Sequence, residues 1–146
     1  MTKYYVLFCL LFVAGCKSAK QAASAQEIAH ADLTETYWRL TEINQKPAPT
    51  TLDNQPEIHL KLRAQSQNLQ GFTGCNHLSG IYKTTGMNVI QFDHLLGNSF
   101  ACPQATIEKE IIATLRKVKR YRIIGTKLFL SSNSKSPVIC FEAVYF

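Results

Sequence analysis

Apolar and polar residues alternate most cleanly over residues 57–63. Ile58, Leu60 and Leu62 fall on one side, Glu57, His59, Lys61 and Arg63 on the other. Alternation with a period of two predicts an antiparallel strand with one face on a core and one in water. Trp38 and Leu40 mark an earlier strand over 37–40. Further strands are expected near 68–73, 78–83 and 87–92, punctuated by glycines. Residues 44–56 carry Pro47, Pro49 and Pro56 among several Asn, Asp and Thr residues, which is loop chemistry.

The period changes once. Ile107, Ile111, Leu115 and Val118 form a stripe at helical spacing, so one helix is expected over about 104–119, with Pro103 suited to its first turn. Glu108 and Glu110 lie toward its start and Arg116, Lys117, Lys119 and Arg120 toward its end, an order that complements the helix dipole. Residues 121–124 and 127–130 flank Gly125-Thr126, a two-residue hairpin signal. Another turn follows at 131–137, and 138–146 closes the chain as a strand. Strands with a single helix before the last three predict an α+β fold, a curved antiparallel sheet packed against one main helix.

The N-terminus has a different pattern. Lys3 precedes an unbroken apolar run over 4–14, too short to span a bilayer comfortably and suited to a secretory signal. The run ends in Val13-Ala14-Gly15-Cys16, which resembles the bacterial lipobox. The resemblance implies a signal peptide over 1–15 and a mature chain that begins at Cys16, its thiol lipidated and its amine carrying an acyl chain such as palmitate. Two or more chains anchor stably. The other reading of the same residues is an ordinary signal peptide cleaved near Ala14. Lys17 stands where Asp favours inner-membrane retention, which points to the outer membrane, facing the periplasm. Residues 16–34, rich in Ala, Ser and Gln, read as a lipidated tether, leaving 35–146 as the domain.

Composition narrows the field. The chain has 146 residues, 46% of them apolar, enough for one domain with its own core. Its net charge is +6. A basic exported chain without aromatic–basic interleaving is a poor candidate for nucleic acid. Five of the seven residues from 116 to 122 are basic: Arg116, Lys117, Lys119, Arg120 and Arg122. They read as a solvated helix end or as a patch for anionic lipid headgroups or an acidic envelope protein. A monomer is expected.

The most specific stretch is residues 71–82, Gly-Phe-Thr-Gly-Cys-Asn-His-Leu-Ser-Gly-Ile-Tyr. It resembles the central signature of the META domain family, that of HslJ-like bacterial lipoproteins, in which Gly-Cys-Asn is followed by Gly-x-Tyr. The matching positions are Gly74, Cys75, Asn76, Gly80 and Tyr82. Trp38-x-Leu40 resembles the family's opening strand, Ala101-Cys102 the end of its Thr-x-Met-Ala-Cys element, and Glu108-x-x-Ile111 its helix. Asn98, Ser99 and Phe100 depart from that element. The resemblance implies a partly barrel-like sheet with a helix across it, in secreted or membrane-anchored proteins linked to envelope stress and tolerance of antibiotics such as novobiocin. It brings no enzymatic activity and no cofactor.

In the same signature elements Cys75 and Cys102 have two readings. Paired, they form a disulfide in an oxidising compartment that stabilises the fold by about 3 kcal/mol through loop closure. Unpaired, they are small buried apolar groups. Cys140, between Ile139 and Phe141, reads as a buried thiol. A third arrangement joins Cys75, His77 and Cys102, with His94 in a neighbouring loop, as a periplasmic copper or zinc site. No CxxC or HxxxH supports it. Enzyme chemistry is weaker still, because GxSxG and HExxH are missing and the carboxylates Asp53, Glu57 and Asp93 form no recognisable pair. In Gly74, Gly80 and Gly86 the sequence offers positive φ or tight turns.

Overall fold

Trp38 and Leu40 point into the core from the first strand, β1 (Tyr37–Ile43), while Tyr37 and Arg39 stay half-buried on its other side. The computed structural model describes residues 30–49, 55–74, 76–97, 105–133 and 136–146. The signal peptide 1–15, Cys16, Cys75, Ala101 and Cys102 lie outside them, as does most of the expected tether. Packing reaches further toward the N-terminus than the expected 35–146 unit. Ala31 is buried and donates its N–H to Gly125 O, and Leu33 O accepts from Trp38 Nε1 at 3.0 Å.

After β1 the chain turns at Asn44 and Gln45, both with positive φ (48° and 64°), into the short strand β2 (Lys46–Pro47). Paired left-handed residues make the turn whose twist suits a hairpin, and Pro47 is tolerated because β2 pairs with β1 alone. The expected loop over 44–56 therefore begins as a hairpin. Then follow β3 (His59–Leu62), β4 (Asn68–Phe72), β5 (His77–Thr84) and β6 (Ile90–Gly97), each antiparallel to the last. Leu60, Leu62, Leu69, Leu78, Tyr82, Ile90 and Phe92 are buried on the inner face, as alternation requires.

The strand expected at 87–92 starts later and runs longer. Gly86 and Asn88 adopt positive φ (60° and 61°), so the turn continues through Met87, which is 89% exposed. At its far end β6 takes in His94, expected in a loop.

Helix α1 (Ala105–Leu115) is shorter than the expected 104–119. Its last turn tightens: Lys117 N–H bonds Thr114 O and Val118 N–H bonds Leu115 O, three residues back. Val118 still reaches the core, and Lys119 N–H already bonds Ser131 O. The helix-dipole account of the basic residues therefore covers Arg116 and Lys117, just after the last turn, and does not reach Arg120. Arg116 and Lys117 lie in the turn, while Arg120 and Arg122 lie on β7 (Arg120–Ile124).

β7 returns through Gly125-Thr126 into β8 (Lys127–Ser131), and β9 (Ile139–Val144) inserts between β8 and β1. The sheet order is β6-β5-β4-β3-β1-β9-β8-β7, all antiparallel. Its two edges approach each other: Val89 bridges Arg120, and Tyr121 N–H bonds Asn88 O at 3.0 Å. The result is a curled half-barrel with α1 packed against it through Ile111 and Leu115, an α+β fold.

Candidate functional site

The turn between β4 and β5 holds the most specific sequence, and it packs on the start of α1. Thr73 is fully buried; its N–H and hydroxyl both face Asn76 O (2.9 and 3.0 Å), while its Oγ accepts from Asn76 N–H at 3.2 Å. Gly74 takes φ 88°, a conformation that favours glycine. Glu108, in the first turn of α1, brings its carboxylate to this corner. Its Oε2 lies 2.7 Å from Asn76 Nδ2 and 3.1 Å from Thr73 Oγ1. A Cβ at Gly97 would overlap Glu108 Oε1, so the end of β6 must be bare for the carboxylate to pass. These hydrogen bonds tie the helix to the sheet. A carboxylate already held by two neutral donors is a clamp.

The other signature residues are spread through the wall. Trp38 is fully buried on β1. Tyr82 is buried on β5 with its hydroxyl donating to Arg63 O at 3.1 Å, and burial raises its pKa. Gly80 lacks the positive φ expected of it. It sits in β5 where the register slips between Ser79 and Ile81, and a Cβ there would come within 2.8 Å of Leu95 Cδ2. Across that slip His94 takes φ 51°, the mark of a bulge.

The described histidines and carboxylates that the sequence singled out lie apart. His77 is exposed at the start of β5, edge-on to the Phe72 ring with centroids 5.8 Å apart. His94 lies opposite Gly80, roughly 10 Å away along the strands at the usual rise per residue. Among the described residues no group of three or more His, Cys, Asp or Glu could hold a metal ion. Cys75 and Cys102, the other two members of that arrangement, lie outside them. Glu57 is occupied by Arg39 and is separated from Asp93 by β4 and β5. Cys140 is a free, buried thiol, its pKa raised by burial.

On the outer face a row of rings crosses the sheet. Phe146 meets Tyr37 edge-on at 5.2 Å, and Tyr37 stacks on His59 at 4.2 Å. Burial lowers the His59 pKa, since a charged imidazole there loses water. Beside this row the charges are matched. Arg39 lies between Glu142 at 3.0 Å and Glu57 at 3.4 Å, and Glu35 between Arg63 at 2.8 Å and Lys61 at 3.4 Å.

The opposite is true beyond the helix. Arg116, Lys117, Lys119, Arg120 and Arg122 are all exposed, and among the described residues none makes an ion pair. Arg120 and Arg122 share the outer face of β7, opposite Ser131 and Phe129 of β8. The Arg122 guanidinium lies 5.4 Å from the Phe129 ring centroid. A hollow of about 240 Å³ opens there. Sequence reasoning found these arginines but missed Phe129, Ser131 and the hollow, although alternation in 120–124 and 127–131 already puts them on one face.

The META domain matches residues 31–145. In three dimensions the chain is similar to a protein from Burkholderia xenovorans solved by NMR, with a TM-score of 0.58 and 23% sequence identity over 77% of this chain and 83% of that one. That likeness concerns the fold. No curated protein matches.

Proposed function

The chain belongs to the META domain family, and from that premise we propose that it is a non-enzymatic envelope lipoprotein that works as a binding or assembly-helper module under envelope stress. The mature chain is anchored through lipid on Cys16 in the outer membrane, its domain in the periplasm. The observation that carries the reading is the basic surface of residues 116–122, where Arg116, Lys117, Lys119, Arg120 and Arg122 are all exposed and, among the described residues, none is ion-paired, set against the paired charges around Arg39 and Glu35. Such a face attracts an acidic envelope protein or anionic headgroups. The signature corner supports a non-enzymatic role, because Thr73, Asn76 and Glu108 hold each other. A scaffold of this kind specifies shape, and the surface it displays does the binding.

The test is made in cells of a two-membraned bacterium. Expected are an acylated N-terminal Cys16 by mass spectrometry and outer-membrane fractionation that Cys16→Ser abolishes. Charge reversal at Lys117 and Arg120 should reduce crosslinking to envelope partners at low salt. A soluble, unacylated chain, or unchanged crosslinking, would overturn the corresponding half of the proposal.

A further inference from the structure

We infer that the hollow on the outer face of β7 and β8 is a phosphate-binding site, built from Arg120, Arg122, Ser131 and Ser136. The inference rests on the basic-face reading above and gives that face a ligand. Hollow and face are different things. A basic face attracts any anion through its field, whereas a site selects one by the directions of its donors.

Position comes from the ladder. Arg120 and Arg122 are two residues apart on one strand, so their side chains leave the same face about 7 Å apart. Two forks at that spacing can take different oxygens of one tetrahedral anion, whereas one fork suffices for a carboxylate. Ser131 is the cross-strand partner of Arg120, and Ser136 closes the hollow beside Pro137. Their hydroxyls supply short neutral donors between the long charged ones. Phe129, the cross-strand partner of Arg122, lies beneath its guanidinium and limits the directions it can take.

Charge and volume agree. Among the described residues no carboxylate lines the hollow and neither arginine has an ion-pair partner, so an anion need displace nothing. A hollow of about 240 Å³ holds a phosphate with a small organic substituent. The wall is stiff because Tyr121 N–H bonds Asn88 O, fixing β7 to the turn before β6. Phosphate of this kind comes either from a phosphodiester headgroup or from a free phosphate monoester. The chemistry of recognition is shared.

Binding of three probes to the full chain in neutral detergent separates the sources: inorganic phosphate, glycerophosphoglycerol as a soluble phosphodiester headgroup, and acetate. Saturable binding of either phosphate probe, with acetate weaker by about tenfold or more, is the expected result. Tighter glycerophosphoglycerol binding assigns the site to lipid headgroups, and tighter inorganic phosphate to free monoesters. Arg120→Lys and Arg122→Lys keep the charge and lose the fork, and should each weaken phosphate binding about tenfold. Arg116→Lys and Lys117→Arg should leave it unchanged. Equal acetate binding, no saturable phosphate binding, or equal losses in all four variants would overturn the site. If the two β7 variants bind phosphate normally while crosslinking to partners still falls on charge reversal at Lys117 and Arg120, the site fails and the basic-face reading survives.

Discussion

Asn76 Nδ2 donates to Glu108 Oε2 at 2.7 Å, across 32 residues of chain, and the bond ties the most specific turn of the sequence to the first turn of its one described helix. Thr73 shares the same carboxylate oxygen at 3.1 Å. Removing Glu108 takes an acceptor from the buried Asn76 amide, whereas the Thr73 hydroxyl keeps Asn76 O, and an unmet buried group costs about 1–3 kcal/mol. Glu108→Ala should therefore lower unfolding stability by about 1–3 kcal/mol, and Glu108→Gln by less, since the amide oxygen still accepts. Urea unfolding of both variants checks this. A loss from Glu108→Ala below about 0.5 kcal/mol, the range of a neutral surface change, would mean the corner is not a clamp.

Gly71 and Gly80 are closed to side chains for different reasons, and the order of their effects can be forecast. A Cβ at Gly71 would overlap the carbonyl of His59 on the neighbouring strand, which is backbone and cannot move aside. At Gly80 the nearest atom is Leu95 Cδ2 at 2.8 Å, a side-chain end able to rotate, with Asp93 O at 3.1 Å behind it. Gly71→Ala should cost at least about 3 kcal/mol or prevent folding, and Gly80→Ala about 1–2 kcal/mol. Thermal unfolding that ranks them the other way would contradict the packing at the β3–β4 seam.

Much of this was legible in the sequence, and the failures have physical causes. The alternation Ile58, Leu60, Leu62 marked β3 because a half-buried strand must alternate, and Gly125-Thr126 marked the β7–β8 hairpin. Val118 misled, because an apolar residue at helical spacing fills the core equally well from a tightened turn. His94 looked like a loop residue because a bulge with φ 51° interrupts the pattern of β6 without ending the strand. Gly97 carried no local signal, and Thr73 none beyond its place in the stretch 71–82. Their importance comes from Glu108, which only the packing of α1 brings to them.

His59 supplies a pH dependence whose sign is fixed. Burial lowers its pKa from the ordinary 6.5, although its Nδ1 donates to Glu57 O at 2.7 Å, an interaction that favours the charged form. The unfolded chain then binds a proton at a higher pH than the folded one. Stability is full above about pH 6.5 and falls as the pH drops through the folded value. His59→Phe keeps a ring against Tyr37 and removes the titration. Melting curves at pH 7.5 and pH 5 should show a drop for the native chain that is smaller in the variant. An identical drop in both would assign the dependence to other groups.

Cys140 offers the last test, of the outer face of β9, where it pairs with Phe129, and of the cysteine count together. Its side chain is 8% exposed, and burial raises its pKa, so the thiolate that reacts with alkylating reagents is scarce in the folded protein. In a chain beginning at Lys17, labelling of Cys140 at neutral pH should be slow in the folded protein and fast once it is denatured. After denaturation without reductant one label is expected if Cys75 and Cys102 are paired, as the disulfide reading of the sequence has it, and three labels if they are not. Fast labelling of Cys140 in the native state would contradict its burial on the outer face of β9 beside Phe129.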